Sequence, residues 1–194
     1  MEKACDKKRF AIFASGDGSN AENIARYFRD NSCNAEVSLI VCNNPNAGVI
    51  ERARRLGIDM YLLTRAEIND PSQLLPIMEK HGVDVIVLAG FLLMVPAFLI
   101  ARYNGRIVNI HPALLPKFGG KGMYGRHVHE AVVAAGECET GITIHHVSER
   151  YDEGRIIFQA SVDVTADDTP DSVAAKVRLL EADHFPRVLA ETFL

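Results

Sequence analysis

Phe10-Ala-Ile-Phe-Ala-Ser-Gly-Asp-Gly-Ser-Asn20 is the stretch of this sequence that decides the fold. The apolar run Phe10–Ala14 is typical of a buried strand, and the glycine-rich loop that follows it leads into helical sequence at 21–28. A strand, a glycine loop and a helix in this order predict the first unit of a parallel sheet. Backbone amides at such a helix N-terminus can bind an anion. A plain tight turn with Ser19 or Asn20 as helix N-cap fits the loop equally well.

The same alternation of strand and helix continues along the chain for roughly 110 residues. The strands are apolar throughout rather than alternating, as expected for a sheet that is covered on both faces. The fold class is therefore predicted as α/β, with a Rossmann-like, mostly parallel, doubly wound sheet. The further strands are expected at 37–42, 60–63, 83–89 and 106–110, and the further helices at 49–56 and 71–81.

The pattern changes after Pro116. The expected elements there are a glycine-rich loop at 117–126, a helix at 129–135, antiparallel strands at 140–147 and 155–164, and a long closing helix at 171–193. We predict one domain over 1–194. Within it, a nucleotide- or phosphate-binding lobe covers about 9–116, and a smaller C-terminal part at about 117–194 completes the active site.

Composition and charge narrow the classes of protein. The net charge of −4 gives no basic surface for nucleic acid. The four cysteines form no Cys-x-x-Cys pair, which favours free thiols in a reducing cytoplasm. The start of the chain, 1–9, is charged and does not resemble a signal peptide. The most apolar stretch, 83–100, is interrupted by Asp84, Gly90 and Pro96, so a strand, a turn and a short helix are expected rather than a membrane span.

The candidate chemistry is concentrated in Arg106-Ile-Val-Asn-Ile-His-Pro-Ala-Leu-Leu-Pro116. Asn109 and His111 are two residues apart, so on a strand they point to the same face. Pro112 is expected to end the strand because it has no amide hydrogen to donate. A neutral hydrogen-bond donor beside a group that titrates near neutrality suits a reaction in which an oxygen gains negative charge while a proton moves.

A carboxylate partner for His111 is expected in Glu149-Arg-Tyr-Asp-Glu-Gly154. Asp152 would raise the pKa of the imidazole and hold its orientation. Two alternatives stay open from the sequence. Asp152 can simply be a turn acid ahead of Gly154, and Glu153 is a competing carboxylate nearby.

Two kinds of cofactor are disfavoured. The glycine loop lacks the third glycine of the dinucleotide fingerprint, because Ala21 stands there, and Cys42-Asn43 follow the second strand where an acid is needed. A single phosphate on a small substrate fits the loop better than a nicotinamide cofactor. The histidine pairs 127/129 and 145/146 have no carboxylate or cysteine at ligand spacing, so no metal is expected. His145 and His146 should face opposite sides of a strand.

These motifs together resemble the folate-dependent formyltransferase family, and within it the glycinamide ribonucleotide transformylases. Asn109-Ile-His-Pro-Ala-Leu-Leu-Pro116 is similar to the family signature, and Ser15–Asn20 is similar to its substrate-phosphate loop. Ala89–Val95 resembles the segment that lines the folate pocket, although Leu93 stands where the family often has arginine. Tyr151-Asp-Glu-Gly154 resembles the family's Asp-x-Gly turn.

The resemblance implies an activity and a set of site residues. The implied reaction is transfer of a formyl group from 10-formyltetrahydrofolate, as co-substrate, to the amino group of 5'-phosphoribosylglycinamide in de novo purine biosynthesis. The implied protein is cytoplasmic, a monomer or weak homodimer, with small-molecule substrates and no nucleic acid, membrane or metal partner. The residues carried over are Asn109, His111 and Asp152 for catalysis, Gly18, Ser19, Asn20 and Glu181 for the phosphate and ribose of the substrate, and Leu92, Leu93, Met94, Val95 and Asn109 for the folate.

Rival interpretations use the same residues differently. A formyltetrahydrofolate hydrolase would use the same trio with water as acceptor. Methionyl-tRNA and sugar-nucleotide formyltransferases need further domains, and the acidic net charge also argues against tRNA. A ligand-binding α/β domain without catalysis is the alternative from another class, and the intact trio counts against it. The interpretation as an NAD-dependent oxidoreductase has still less support, because the glycine loop lacks the third glycine of the dinucleotide fingerprint.

Overall fold

The structure, a computed structural model, describes residues 7–194. The chain forms two compact units. The first contains the residues up to Ile107 together with Pro186–Leu194, and the second contains Val108–Phe185. The strands are β1 Lys8–Ala14, β2 Ala35–Cys42, β3 Met60–Leu62, β4 Val85–Leu88, β5 Ile107–His111, β6 Glu139–His146 and β7 Ile156–Asp163. The helices are α1 Ser19–Asp30, α2 Val49–Leu56, α3 Arg65–Ile68, α4 Pro71–Lys80, α5 Ala97–Arg102, α6 Arg126–Ala134 and α7 Pro170–Phe193.

The first unit contains the parallel strands. They run in the order β3-β2-β1-β4, in which β1 pairs parallel with β2 and β4, and β2 pairs parallel with β3. The residues of β1 from Phe10 to Ala14 are fully buried. A strand without an exposed face explains why the apolar run is continuous. The Phe10 ring lies 4.8 Å from that of Phe28 on α1 and 6.0 Å from that of Phe193 at the end of α7.

Turn chemistry sets where the helices of this unit begin and end. Helix α2 is capped at its C-terminus by Gly57, whose φ of 69° lies in the left-handed region that glycine adopts without strain. Helix α4 begins after Asp70, which caps it by accepting from the Ser72 amide. The short helix α3 was missed. A capping box between Thr64 and Glu67 starts it, although four residues are too few to show apolar periodicity.

The second unit contains the antiparallel strands. Strand β5 pairs antiparallel with β6, and β6 with β7. Its fully buried aliphatic side chains include residues of β5, α6, β6 and α7, namely Val108, Val128, Val132, Ile142, Ile144, Val173 and Val177. The prediction of an α/β fold with mostly parallel strands, then antiparallel strands and a long closing helix, is confirmed.

Two further sequence expectations are tested only in part. Cys33, Cys42 and Cys138 are free thiols, whereas Cys5 lies outside the described residues. The expectation that residues 1–9 are not a signal peptide concerns mostly residues 1–6, which also lie outside the described residues. Among the helices within 7–194, none is both long enough and apolar enough to cross a membrane.

Candidate active site

Strand β5 carries Asn109 and His111 at its carboxyl end. The register places Asn109 opposite His145 of β6, and His111 opposite Thr143. The strand ends at His111, immediately before Pro112, as predicted. His111 is only 3% exposed, and Asn109 is half-buried. The two side chains share a face of the strand, so an amide and an imidazole are presented together.

Thr143 fixes the chain that follows His111. Its hydroxyl accepts a hydrogen bond from the Leu115 amide at 3.0 Å and donates one to the Ala113 carbonyl at 2.7 Å. Thr143 is fully buried, so neither bond competes with water. The segment after the strand is therefore held as a fixed turn.

Asp152 lies in the connection between β6 and β7 and reaches both buried imidazoles. Its Oδ2 is 3.7 Å from His111 Nδ1, and its Oδ1 is 3.6 Å from His145 Nε2. Oδ2 also accepts a hydrogen bond from the Gly120 amide at 2.9 Å. The neighbouring acid, Glu153, is exposed and instead faces Arg150. The structure thus brings Asn109, His111 and Asp152 together, with His145 between them.

The backbone around Asp152 is unusual in two ways. Asp152 has a φ of 56°, in the left-handed region that Asp and Asn tolerate better than most residues. Two residues on, a Cβ at Gly154 would overlap the His146 carbonyl oxygen. Only glycine permits this close approach of the connection to β6. The Asp-x-Gly spacing therefore has a structural cause, since the glycine lets the carboxylate reach the imidazoles.

The protonation of His111 differs from the sequence expectation. Its Nε2 lies 2.7 Å from the Phe118 carbonyl oxygen, which can only accept, so Nε2 carries the hydrogen. Burial lowers the pKa of His111 below its usual value, although the charge of Asp152 and the Phe118 carbonyl act in the opposite direction. Asp152 raises the pKa of His111, as the sequence predicts, but the net pKa is lowered because desolvation outweighs the effect of the carboxylate.

The carboxylate itself is ionised. Burial raises the pKa of Asp152, but its contacts with His145, the Gly120 amide and His111 together lower it by more, so the net pKa lies below the ordinary value. A neutral imidazole that donates from Nε2, with a carboxylate on its other side, can stabilise an oxyanion. It can also take up positive charge when a proton moves.

His145 is a site residue that the sequence interpretation missed. It is 2% exposed, and its Nδ1 lies 2.9 Å from the His146 carbonyl, so Nδ1 carries a hydrogen. Its Nε2 faces both Asn109 Nδ2, at 3.1 Å, and Asp152 Oδ1, at 3.6 Å. An amide nitrogen has two N–H groups, so the one that does not face His145 is left to donate elsewhere. The sequence does indicate that one of His145 and His146 faces inward, because adjacent residues of a strand point to opposite sides, and this pattern could have identified His145.

The glycine loop belongs to the first unit. Helix α1 begins at Ser19, and its N-cap is Gly18, with a left-handed φ of 81° and no side-chain capping hydrogen bond. The alternative in which Ser19 or Asn20 caps the helix is therefore wrong. Gly18, Ser19 and Asn20 lie at the N-terminal end of a 12-residue helix, where amides and the helix dipole favour an anion.

The segment 90–95 is irregular backbone between β4 and α5. Ser15 ties its start to the end of β1, because the Ser15 hydroxyl accepts from the Leu92 amide at 3.0 Å. Leu92 and Met94 are 53% and 49% exposed, whereas Val95 is buried and Leu93 is intermediate. Large exposed apolar side chains on irregular backbone offer both apolar contact and backbone hydrogen bonds to a flat ligand.

The remaining predicted positions are less informative. Glu181 lies half-buried on α7. Among the side chains of residues 7–194, no group of three or more His, Cys, Asp or Glu is arranged to hold a metal ion.

Comparison with known proteins gives the family. The family model for formyl transferases matches residues 8–189. The chain belongs to the formyl transferase family. The phosphoribosylglycinamide formyltransferase of Bacillus subtilis is 34% identical over 188 residues, which cover 95% of this chain and 94% of the relative. The crystal structure of phosphoribosylglycinamide formyltransferase from Bacillus halodurans superimposes with a TM-score of 0.86 at 35% identity, covering 95% of this chain and 94% of that one.

Two plant relatives of this chain are longer than the matched region. The chloroplastic phosphoribosylglycinamide formyltransferase of Arabidopsis thaliana is 46% identical over 176 residues, which cover 88% of this chain. The match spans 60% of the Arabidopsis protein, and 56% of the corresponding protein of Vigna unguiculata. The resemblance drawn from the motifs is confirmed at the level of the family.

Proposed function

We propose that this protein transfers the formyl group of 10-formyltetrahydrofolate to the amino group of 5'-phosphoribosylglycinamide, a step of de novo purine biosynthesis. The observation that carries the proposal is the cluster of Asn109, His111 and Asp152, in which His111 is buried. Relatives that share almost the whole chain bear the name phosphoribosylglycinamide formyltransferase. The partners are these small molecules, without nucleic acid, membrane or metal, in a cytoplasmic monomer or weak homodimer.

The chemistry assigned to the cluster balances without a covalent enzyme intermediate. The substrate amine attacks the formyl carbon, forming a C–N bond and a tetrahedral oxyanion. The second N–H of Asn109 and the Nε2–H of His111 donate to that oxyanion, whose charge makes it a stronger acceptor than the Phe118 carbonyl. The bond to N10 of the folate then breaks, and the proton lost by the amine is delivered to N10.

Asp152 stabilises positive charge on His111 while the proton moves. Its Oδ2 faces His111 Nδ1, on the side of the ring away from the donating Nε2. Because Nε2 already carries a hydrogen, the atom that can gain a proton is Nδ1, which faces Asp152. The amine proton reaches it through a water bound by Asp152 and then passes on to N10, and the carboxylate offsets the positive charge in between. Holding two substrates in register supplies further acceleration.

The substrates are assigned to the remaining predicted residues. The ribonucleotide phosphate binds at Gly18, Ser19 and Asn20, where α1 begins. Glu181 meets the ribose. The folate ring lies against Leu92–Val95 and Asn109, and the exposed apolar side chains of Leu92 and Met94 support this assignment.

The experiment that tests the proposal follows deformylation of 10-formyltetrahydrofolate by its absorbance, with and without the ribonucleotide. Deformylation that depends on the ribonucleotide, with formylated product identified by mass spectrometry, supports the transferase. Deformylation without the ribonucleotide identifies a hydrolase instead. Folate binding without any deformylation contradicts catalysis and leaves a binding module.

A further inference from the structure

The glycine loop contains an acid that works against its proposed role. Asp17 sits between Gly16 and Gly18, and its side chain is 67% exposed. An unneutralised carboxylate beside a phosphate site repels the phosphate. A loop that binds a phosphate therefore needs a nearby group that offsets this charge.

Arg52 of helix α2 is that group. Its Nε donates to the Asp17 carbonyl at 2.8 Å, and its Nη2 lies 2.6 Å from Asp17 Oδ2. Its Nη1 donates to Glu22 of α1, the helix that starts at the loop. One guanidinium thus holds the backbone of the loop, neutralises the loop's acid and ties both to the first turn of α1. The planar fork of arginine makes such a set of bonds possible, whereas lysine offers a single point charge.

The Glu22 side of this network is buried and ionised. Glu22 is 8% exposed and also accepts from Arg26 at 2.6 Å and Arg55 at 2.5 Å. The hydrogen bond from Arg52, with smaller contributions from Arg55 and Arg26, lowers the pKa of Glu22 to about 2, against the effect of burial. Glu22 is therefore a fixed anion at neutral pH that anchors Arg52.

The start of α2 shapes the same loop. The Val49 amide donates to the Gly16 carbonyl at 3.2 Å. A Cβ at Gly18 would lie 2.6 Å from Val49 Cβ, and a Cβ at Gly48 would lie 3.1 Å from the Asp17 carbonyl oxygen. The two segments are thus packed closely along their backbones, and Arg52 lies one turn further along α2.

We propose that Arg52 is a positioning residue for phosphate binding: it fixes the conformation of the Gly16–Gly18 loop and neutralises Asp17, so that the start of α1 accepts a phosphate monoester. This inference rests on the proposed function, whose phosphate site it deepens. Arg52 acts through the loop and is not itself assigned a contact with substrate.

The test is a mutant cycle with a matched control. Arg52→Met is expected to raise KM for the ribonucleotide about tenfold or more, with kcat and the KM for folate changed by less than a factor of about two. Adding Asp17→Asn to Arg52→Met removes the unpaired carboxylate and should recover most of the lost affinity, with Asp17→Asn alone as the reference. Arg55→Met is the control, because Arg55 contacts the same Glu22, whereas the hydrogen bonds to Asp17 come from Arg52. It should leave KM unchanged.

Several results would overturn the inference. One is an unchanged KM in Arg52→Met. Another is a double variant no better than Arg52→Met, which would make the role of Arg52 purely structural. A third is an equal effect of Arg55→Met, which would place the effect at Glu22. If Arg52→Met does not fold, Arg52→Lys is compared with and without Asp17→Asn in the same way.

A second readout separates this inference from the proposed function. Inorganic phosphate is titrated into each protein, and the shifts of the Gly18 and Ser19 amide resonances are followed by NMR. Phosphate affinity should fall about tenfold or more in Arg52→Met and recover in the double variant, whether or not formyl transfer is observed. Failure of transfer with this pattern intact rejects the proposed reaction alone. Loss of the pattern rejects the role of Arg52.

Discussion

Replacing Asp152 with asparagine removes the charge that faces His111 while keeping the size of the side chain. The amide oxygen of the new side chain can still accept the hydrogen bond from the Gly120 amide. What is lost is the carboxylate 3.7 Å from His111 Nδ1. In the proposed mechanism this charge matters most when His111 becomes positive, so kcat should fall more than either KM rises.

The size of the effect follows from the distance and the burial. At 3.7 Å and an effective dielectric constant of about 20, the attraction between two unit charges is about 4.5 kcal/mol. The side chains of His111 and Asp152 are 4% and 13% exposed, so water shields the pair little. Full loss of this energy at the transition state would lower the rate by about three powers of ten. Because the amide retains part of the dipolar interaction, we expect kcat to fall by about 10²–10³.

The assay measures ribonucleotide-dependent deformylation at saturating substrates, for wild type and for Asp152→Asn. Glu153→Gln is the matched control, since it removes the adjacent carboxylate, which is 60% exposed and pairs with Arg150. It should change kcat by less than a factor of about two, because exposed pairs contribute little. An Asp152→Asn protein that is folded and retains kcat within a factor of about three would refute the electrostatic role of Asp152.

Three further predictions concern the same structural features. Gly154→Ala should destabilise the protein by about 1–3 kcal/mol and lower kcat, because its Cβ would overlap the His146 carbonyl; urea unfolding and the deformylation assay check this, and an unaltered unfolding midpoint would contradict it. His111 should titrate below 6.5, its ordinary pKa, since burial lowers its pKa, and NMR titration of its ring C–H signals measures the midpoint. The folded pKa of Glu22, about 2 because of Arg52, lies below its ordinary 4.5, so its stabilising contribution is complete above about pH 4.5 and is lost as pH falls toward 2. The Glu22→Gln protein should therefore have a lower free energy of unfolding than wild type at pH 7, and that free energy should fall less between pH 4.5 and 2. Urea unfolding at several pH values measures both. If the free energy of the variant fell as steeply with pH as that of wild type, Glu22 would not be the cause of the acid sensitivity.

The elements that sequence predicted well are those with a local physical signal. Continuous apolar runs marked β1 and β4 because both are buried on both faces. The end of α2 was predictable because Gly57 adopts a conformation that favours glycine. The loop at 16–20 was left undecided between an anion site and a capped turn. Glycine is only slightly weaker than serine or asparagine as an N-cap residue, so the sequence does not decide among Gly18, Ser19 and Asn20, whereas the structure has Gly18 at the N-cap.

The candidate site shows why the rest could not be predicted. Asn109 and His111 lie on the same face because side chains two residues apart on a strand point the same way, and this prediction needs no tertiary information. Placing His145 opposite Asn109 needs the register of β5 against β6, which a one-residue slip would reverse. The net pKa direction of His111 is harder still. Its sign depends on the balance between desolvation and the charge of Asp152, and the sequence identifies the carboxylate but does not give the burial. The sequence therefore predicts in which direction a carboxylate shifts the pKa of a neighbouring histidine. The net pKa also depends on how deeply the histidine is buried, and this is known only from the fold.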